Sequence, residues 1–213
     1  MILYTYSVSS AAFRVRIALN LKGIQPEFRY VHLRRNGGEH LTPQYAKLNP
    51  QREVPTLVDG DRVIAQSMAI MEYLEETHPE PPLLPKDPYA RAKTRQVCEA
   101  VVSGIHPLGN LKVLQFLEHH LRLPEEDRVG WYHHWVGVGA QRLEELVAPL
   151  AGQYCVGDQV SLADCCVIPQ VYNCIRRQVD MSECPTLKRL WDQLSPQPAF
   201  AKAMPEKQWD FGQ

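Results

Sequence analysis

Three serines stand where a strand should give way to a helix: Ser9 and Ser10 after Ile2-Leu3-Tyr4-Thr5-Tyr6, and Ser67 after Arg62-Val63-Ile64-Ala65. The first turn of a helix presents backbone N–H groups with no intrahelical acceptor and the positive end of the helix dipole. An anion is stabilised there, and a serine hydroxyl can donate one further hydrogen bond to it. A serine in that place is also a good N-cap, with no ligand required. Ser9 is open to both readings, and Ser67 can serve as cap and ligand at once. Other reactive side chains look less purposeful. The six cysteines, Cys98, Cys155, Cys165, Cys166, Cys174 and Cys184, lack the two-residue gap of a zinc or redox motif, so they read as small buried hydrophobes. His119-His120 and His133-His134 are adjacent pairs that diverge around a helix. No metal site is expected.

The elements that place these serines follow from periodicity. Ile2 to Tyr6 is β-branched and aromatic and reads as a strand. Phe13, Ile17, Leu21 and Ile24 then recur at helical spacing, leaving Arg14, Arg16 and Lys22 to face elsewhere. Gly23 is a left-handed stop, and Glu27 to Leu33 reads as a second strand. Strand, helix, strand makes a parallel βαβ crossover. Pro43 to Leu48 is a short helix ended by Asn49-Pro50. Val54-Pro55-Thr56-Leu57-Val58 and Arg62 to Ala65 flank Asp59-Gly60-Asp61 as a hairpin. Gln66-Ser67 then opens a helix over Met68 to Glu76. Two helices that each follow a strand of one sheet would begin at the same sheet edge, giving it a polar, anion-attracting character.

Pro79, Pro81, Pro82, Pro85 and Pro88 form a semi-rigid linker and the clearest domain boundary. Beyond it the strand signal vanishes. Ala90 to Leu123 reads as a long helix kinked at Gly104 and Pro107. Glu125 to Leu150 reads as another, with Trp131, Trp135, Val138, Leu143 and Leu146 inward. Ser161-Leu162-Ala163-Asp164 has capping-box spacing and starts a buried helix that runs to Arg177. Helices over Thr186 to Leu194 and Pro198 to Ala203 precede a tail, Pro205 to Gln213, expected to be loosely ordered. The domains expected are therefore 1–80, a linker at 81–88, and an all-helical 89–213.

With 213 residues, 45% hydrophobic and 22% charged, the chain suits one large domain or two small ones. Its formal net charge of -1 lacks the basic excess of a nucleic-acid surface. No apolar run is long enough for a transmembrane helix, and the first strand begins at once after Met1. A cytoplasmic protein without nucleic-acid or membrane partners is the expectation.

Taken together, the βαβ unit, Val-Pro before a hairpin, Gln-Ser starting a helix, the proline-rich linker and the helical second half resemble a cytosolic glutathione transferase. The likeness is closest to the zeta class, whose members include maleylacetoacetate isomerases. It rests on Ser9-Ser10 with Arg14-Val15-Arg16-Ile17-Ala18-Leu19, Leu48-Asn49-Pro50, Val54-Pro55-Thr56-Leu57, Gln66-Ser67 and Glu72-Tyr73-Leu74-Glu75-Glu76. In the second half it rests on Ile105-His106-Pro107-Leu108, Val156-Gly157-Asp158, Ala163-Asp164, Pro169-Gln170-Val171 and Val179-Asp180.

The resemblance implies an α/β thioredoxin-like N-terminal domain that binds glutathione, an all-α C-terminal domain and a homodimer. It makes Ser9 the hydroxyl that hydrogen-bonds the glutathione sulfur and favours the thiolate, with Ser10 beside it. Val54 would pair its backbone with the cysteinyl backbone of glutathione through a cis Val54-Pro55 bond. Gln66 and Ser67 would hold the γ-glutamyl carboxylate. His40, His106 and Asn110 fall at family positions lining the site. Arg176 falls where an arginine pairs with a substrate carboxylate, or it forms an ion pair with Asp180 instead. The implied chemistry is glutathione-dependent cis–trans isomerisation of maleylacetoacetate or a related maleyl diacid by reversible thiolate addition. The alternatives are a transferase or dehalogenase acting on α-halo acids or other electrophiles, and a non-catalytic glutathione-binding protein. Two positions depart from the family pattern. Val8 stands where an arginine usually precedes the serines, and Ala11 where a small polar residue usually follows. Losing one charge-assisted hydrogen bond to an acidic substrate costs about 1.5–3 kcal/mol.

Overall fold

A computed structural model describes residues 1–213 as two compact units. Met1–Leu83 joins with Pro196–Gln213 in the first, and Leu84–Ser195 forms the second. The segment after Ser195, placed with the helical domain on sequence grounds, thus belongs to the first unit.

The first unit holds a four-stranded sheet of order β2-β1-β3-β4, with β1 at Ile2–Thr5, β2 at Glu27–Tyr30, β3 at Thr56–Asp59 and β4 at Arg62–Ala65. β1 pairs parallel with β2 and antiparallel with β3, which pairs antiparallel with β4. This is the thioredoxin-like arrangement. Because both neighbours of β3 oppose it, β1 and β4 run the same way. The start of β3, where Thr56 faces Tyr4, lies at the edge where β1 and β4 end.

Helix α1 (Ser10–Leu21) crosses between β1 and β2. It ends at Gly23, whose φ of 67° allows the Ile24 N–H to bond the Leu19 carbonyl at 2.9 Å. The stripe of Phe13 and Ile17 is buried as expected, but Arg14, Arg16 and Lys22 are buried too, at 1%, 2% and 8% exposure. Helix α1 packs on both α3 (Ser67–Thr77) and α9 (Pro198–Ala203), and no residue of it is exposed. Lys22 is matched inside by an opposite charge. Lys22 Nζ meets Glu75 Oε2 at 2.7 Å and donates to the carbonyls of His78 and Pro81 at 2.7 and 3.0 Å. Both Glu75 oxygens accept from Leu83 N–H, at 3.1 and 3.0 Å. The proline-rich stretch is thereby anchored where it leaves the first unit.

In the second unit α4 (Pro88–Glu99) does not run on to Leu123. It widens to a π-helical turn at Ala100–Ile105 and tightens to a 3-10 turn at His106–Gly109. The chain restarts as α5 (Leu111–Gln115), capped by Asn110, and ends in another π-helical turn at Phe116–His120. The break falls at the Gly104 to Pro107 stretch, because Pro107 has no N–H to continue the ladder. Helix α6 spans Glu125–Val147. Its inward face is Tyr132, Val136, Ala140, Leu143 and Val147, while Trp135 is exposed and Trp131 half-buried. The apolar stripe is therefore shifted by about one residue from the expected one. Trp131 spends its Nε1–H on the Leu108 carbonyl at 2.8 Å instead.

Helix α7 (Leu162–Arg176) is the core of this unit, and its capping box is formed: Ser161 Oγ accepts from Ala163 N–H, and Asp164 Oδ2 accepts from Ser161 N–H at 2.8 Å. Asp164 Oδ1 also accepts from Cys155 N–H at 2.8 Å. Burial pushes the Asp164 carboxyl up, against these hydrogen bonds. Helix α8 (Pro185–Leu194) begins on Glu144, whose oxygens each accept from the N–H groups of Thr186 and Leu187 at 2.9 Å. All six cysteines are buried, as expected, and none is in a disulfide. No helix is long and apolar enough to cross a membrane.

Glu75→Ala strands a buried ammonium and the Leu83 N–H. It should lower unfolding free energy by about 3–5 kcal/mol, read from the urea midpoint. The Lys22→Met/Glu75→Leu pair should recover most of that loss.

Candidate active site

The β1–α1 turn brings Ser9 to the sheet edge. Tyr6 and Ser9 close it, the Ser9 N–H bonding the Tyr6 carbonyl at 3.1 Å. Ser9 is the N-cap of α1, and its Oγ accepts from Ala12 N–H at 3.2 Å. A hydroxyl has one proton and two lone pairs, so accepting at the cap leaves its O–H free to donate outward. Ser9 is half-buried and Ser10 is buried. The cap reading and the ligand reading of Ser9 are therefore compatible.

Helix α3 begins beside this turn. Its N-cap is Gln66, not Ser67, and Gln66 makes no side-chain cap bond. Gln66 adopts φ 74° and ψ 124°, a region that a residue with a Cβ occupies only at a cost of about 1–3 kcal/mol. Such strain persists where the surroundings impose it, and here the Gln66 side chain is tied to Gln51 Oε1 at 2.8 Å. Ser67, the first helical residue, is buried, and its Oγ accepts from Arg14 Nη1 at 3.2 Å. Arg14 reaches it from the next turn of α1 after Ser10, which ties the two helix starts together.

The third contributor is the loop before β3. The Val54-Pro55 bond is cis. Val54 N–H and C=O make no hydrogen bond within the chain. The loop is held from beneath instead. Tyr45, on helix α2 (Pro43–Leu48), donates its Oη–H to the Glu53 carbonyl at 2.8 Å, and the same oxygen lies 2.9 Å from Thr56 Oγ1. Asn49 Nδ2 donates to the same two oxygens at 2.8 and 3.1 Å, and Asn49 Oδ1 accepts from Gln51 N–H at 3.0 Å. Burial pushes the Tyr45 phenol up to about 12. Tyr45, Asn49 and Thr56 are site-building residues that periodicity did not single out. Asn49 drew notice as a helix end and as part of the Leu48-Asn49-Pro50 motif, not as a brace, because its partners Glu53 and Thr56 lie in the next loop and strand.

His40 sits near this loop, close enough to Glu53 to feel its charge. Its Nδ1 is buried without a hydrogen-bond partner. Burial pulls the imidazole below its ordinary 6.5, and Glu53 opposes the shift. An unpartnered buried ring nitrogen is the kind of group a ligand would satisfy. Val8 packs on an apolar cluster of Tyr6, Val31, Tyr45 and Val54, so the place of the missing arginine is an apolar wall.

Ser9, Ser10, Val54, Gln66 and Ser67 thus converge at one sheet edge of the first unit. His106, Asn110 and Arg176 belong to the second unit. There Asn110 Nδ2 lies 3.3 Å from His106 Nε2, and Asn110 caps α5. Arg176 is exposed at the last position of α7. Asp180 lies beyond the end of that helix, and its Oδ1 accepts from Ser182 N–H at 2.8 Å. The helical i to i+4 pairing of Arg176 with Asp180 is therefore not formed. His133 is spent on the Arg177 carbonyl, 2.9 Å from its Nε2.

Residues 3–82 match the model of the glutathione S-transferase N-terminal domain. The probable maleylacetoacetate isomerase of Vibrio cholerae is 46% identical over 210 residues, covering 99% of this chain and 98% of its own. A solved bacterial maleyl pyruvate isomerase, described as a glutathione S-transferase of the zeta class, superposes with a TM-score of 0.94 at 39% identity over 99% of both chains. The maleylacetoacetate isomerase of Methylobacterium extorquens AM1, solved with bound malonate and glutathione, gives 0.93 at 38% identity over 98% of both. The chain belongs to the zeta-class glutathione S-transferase and maleylacetoacetate isomerase family. It is an enzyme with glutathione-dependent isomerase or transferase activity of the zeta type.

Since burial lowers the His40 pKa, the neutral ring is favoured in the fold. The stability linked to it is present above the unfolded value of about 6.5 and is lost as pH falls through the lower folded value. NMR titration of the His40 ring should therefore give a midpoint below 6.5. A His40→Asn variant should lose that part of the acid-side stability slope.

Proposed function

We propose that this enzyme catalyses the glutathione-dependent cis–trans isomerisation of maleylacetoacetate or a closely related maleyl diacid. The observation that carries the reading is the convergence at one sheet edge of three features: the free Ser9 O–H, the open Val54 backbone and the α3 N-terminus. These are a donor for a thiolate, a backbone for a peptide and a seat for a carboxylate, which together match glutathione. The unpartnered His40 Nδ1 adds a polar contact beside them.

When bound, glutathione supplies a thiolate that adds reversibly to the cis double bond, allows rotation about the resulting single bond, and leaves as the trans isomer forms. The residues of the chain do the rest. Ser9 donates its O–H to the sulfur and lowers the cost of the anion. The α1 dipole acts in the same sense, and Ser10 stands beside it. Val54 pairs its backbone with the cysteinyl unit. Gln66 and Ser67 hold the γ-glutamyl carboxylate on the α3 N-terminus. His106 and Asn110 are assigned to the lining of the site, and Arg176 to a substrate carboxylate. No net redox change is required, and the thiol is regenerated each turn.

The relatives support a diacid substrate. One solved with glutathione also holds malonate, a dicarboxylate, and another is a maleyl pyruvate isomerase. A second reading, thiolate attack on an α-halo acid or similar electrophile, is favoured by one observation. Val8 presents an apolar wall where a further arginine would bind a second acidic group. A homodimer is part of the proposal on family grounds.

Maleylacetone and maleylpyruvate should both be assayed by absorbance, with and without glutathione. Turnover should need glutathione, leave its concentration unchanged, and fall about a hundredfold in Ser9→Ala. Arg176→Ala should raise KM more than it lowers kcat. Stoichiometric loss of glutathione with halogenated acids, and no turnover of either maleyl compound, would replace the isomerase by the second reading.

A further inference from the structure

The sequence Trp209-Asp210-Phe211 is packed inside out. The two aromatic residues are 66% and 41% exposed, while the aspartate between them is 5% exposed. Hydrophobic partition alone would give the reverse. Burying a carboxylate is costly unless it makes a specific bond, and Asp210 makes one. Its Oδ2 accepts from the backbone N–H of Ser7 at 3.0 Å, across 203 residues of sequence. Its Oδ1 has no partner, so the cost is accepted for that single contact.

Ser7 lies two residues before Ser9, inside the turn that Tyr6 and Ser9 close, and is 1% exposed. Its carbonyl accepts from Arg16 Nη2 at 2.9 Å. Arg16 Nη1 also holds the Tyr6 carbonyl, at 3.1 Å. Both backbone groups of Ser7 are therefore gripped by charged side chains, a carboxylate on one side and a guanidinium on the other. Hydrogen bonds of this kind are about twice as strong as neutral ones. The turn has no strand ladder of its own, so this bracket sets its orientation and with it the direction of the Ser9 O–H.

We infer that Asp210 is a positioning residue of the thiolate site: it fixes the Ser7 peptide from the far end of the chain and so aims the Ser9 hydroxyl at the glutathione sulfur. This rests on the reading of Ser9 as the sulfur's hydrogen-bond donor. Asp210 touches neither glutathione nor substrate in this assignment and acts only through Ser9.

The test is the pKa of the bound glutathione thiol, read from the ultraviolet thiolate absorbance of the enzyme–glutathione complex against pH. D210A should raise it by about one unit, with the glutathione Kd changed by less than about threefold, because Val54, Gln66 and Ser67 are untouched. D210N keeps an acceptor in place and should stay within about 0.3 unit of the parent. A clear fall in D210N would mean that the charge itself acts on the thiolate, and would overturn the positioning role. The S9A/D210A double variant should match S9A alone, as expected for two residues acting through one bond. Additive shifts, or an unchanged thiol pKa in folded D210A, would also overturn it. Should D210A fail to fold, D210E carries the same test. Its extra methylene displaces the Ser7 peptide while keeping the charge, so an unchanged thiol pKa in D210E overturns the inference. If S9A leaves the thiol pKa unmoved, the role of Ser9 fails independently of any Asp210 result.

Discussion

The Arg16 guanidinium is buried at 2% exposure and donates to four acceptors: the carbonyls of Ala203, Tyr6 and Ser7, and Thr5 Oγ1. A guanidinium carries five N–H donors in a rigid plane, so it can hold several backbone oxygens in one arrangement where a lysine could not. Here it joins the end of β1, the turn after it and the segment that returns at Ala203. Burying a guanidinium is expensive unless nearly all donors are used, so the same contacts that satisfy it also define the turn. Ser9 inherits its place from that arrangement.

Strand direction does the remaining assembly. With β3 opposing both neighbours, β1 and β4 end at the edge where β3 begins. Two helix starts and one strand entry must therefore meet there, whatever the side chains. What the side chains add is selection. Ser9 retains a proton to donate, Gln66 is held in a costly backbone conformation, and the Tyr45–Asn49–Thr56 brace presents Val54. Arg14 links the two helix starts through Ser67 Oγ. In the proposed reading, a peptide carrying a thiol and an α-carboxylate would meet all three.

Much of this could be read in the sequence, for a physical reason. The serines, the Val-Pro and the Asp-Gly turn are local signals, set by dihedral preference and capping chemistry over a few residues. The thioredoxin-like order and the helical second half follow from period and from the proline-rich boundary. What periodicity could not show were the long-range matches. Arg14, Arg16 and Lys22 were read only as lying off the apolar stripe, because periodicity describes one helix at a time. That side of α1 is buried because α3 and α9 pack against the helix. Asp210 looked like part of a loose tail because its side-chain bond is to a residue at the other end of the chain. Trp135 misled through size: a large ring suggests burial, yet its position on α6 points outward and smaller residues fill the core.

If a single sheet edge of the first unit receives glutathione, backbone amide shifts followed by NMR as glutathione is added will map to it. The largest changes should fall together at Ser9, Ser10, Val54, Gln66 and Ser67 and saturate with one binding constant. Saturable changes centred elsewhere, with those five amides unmoved, would contradict it.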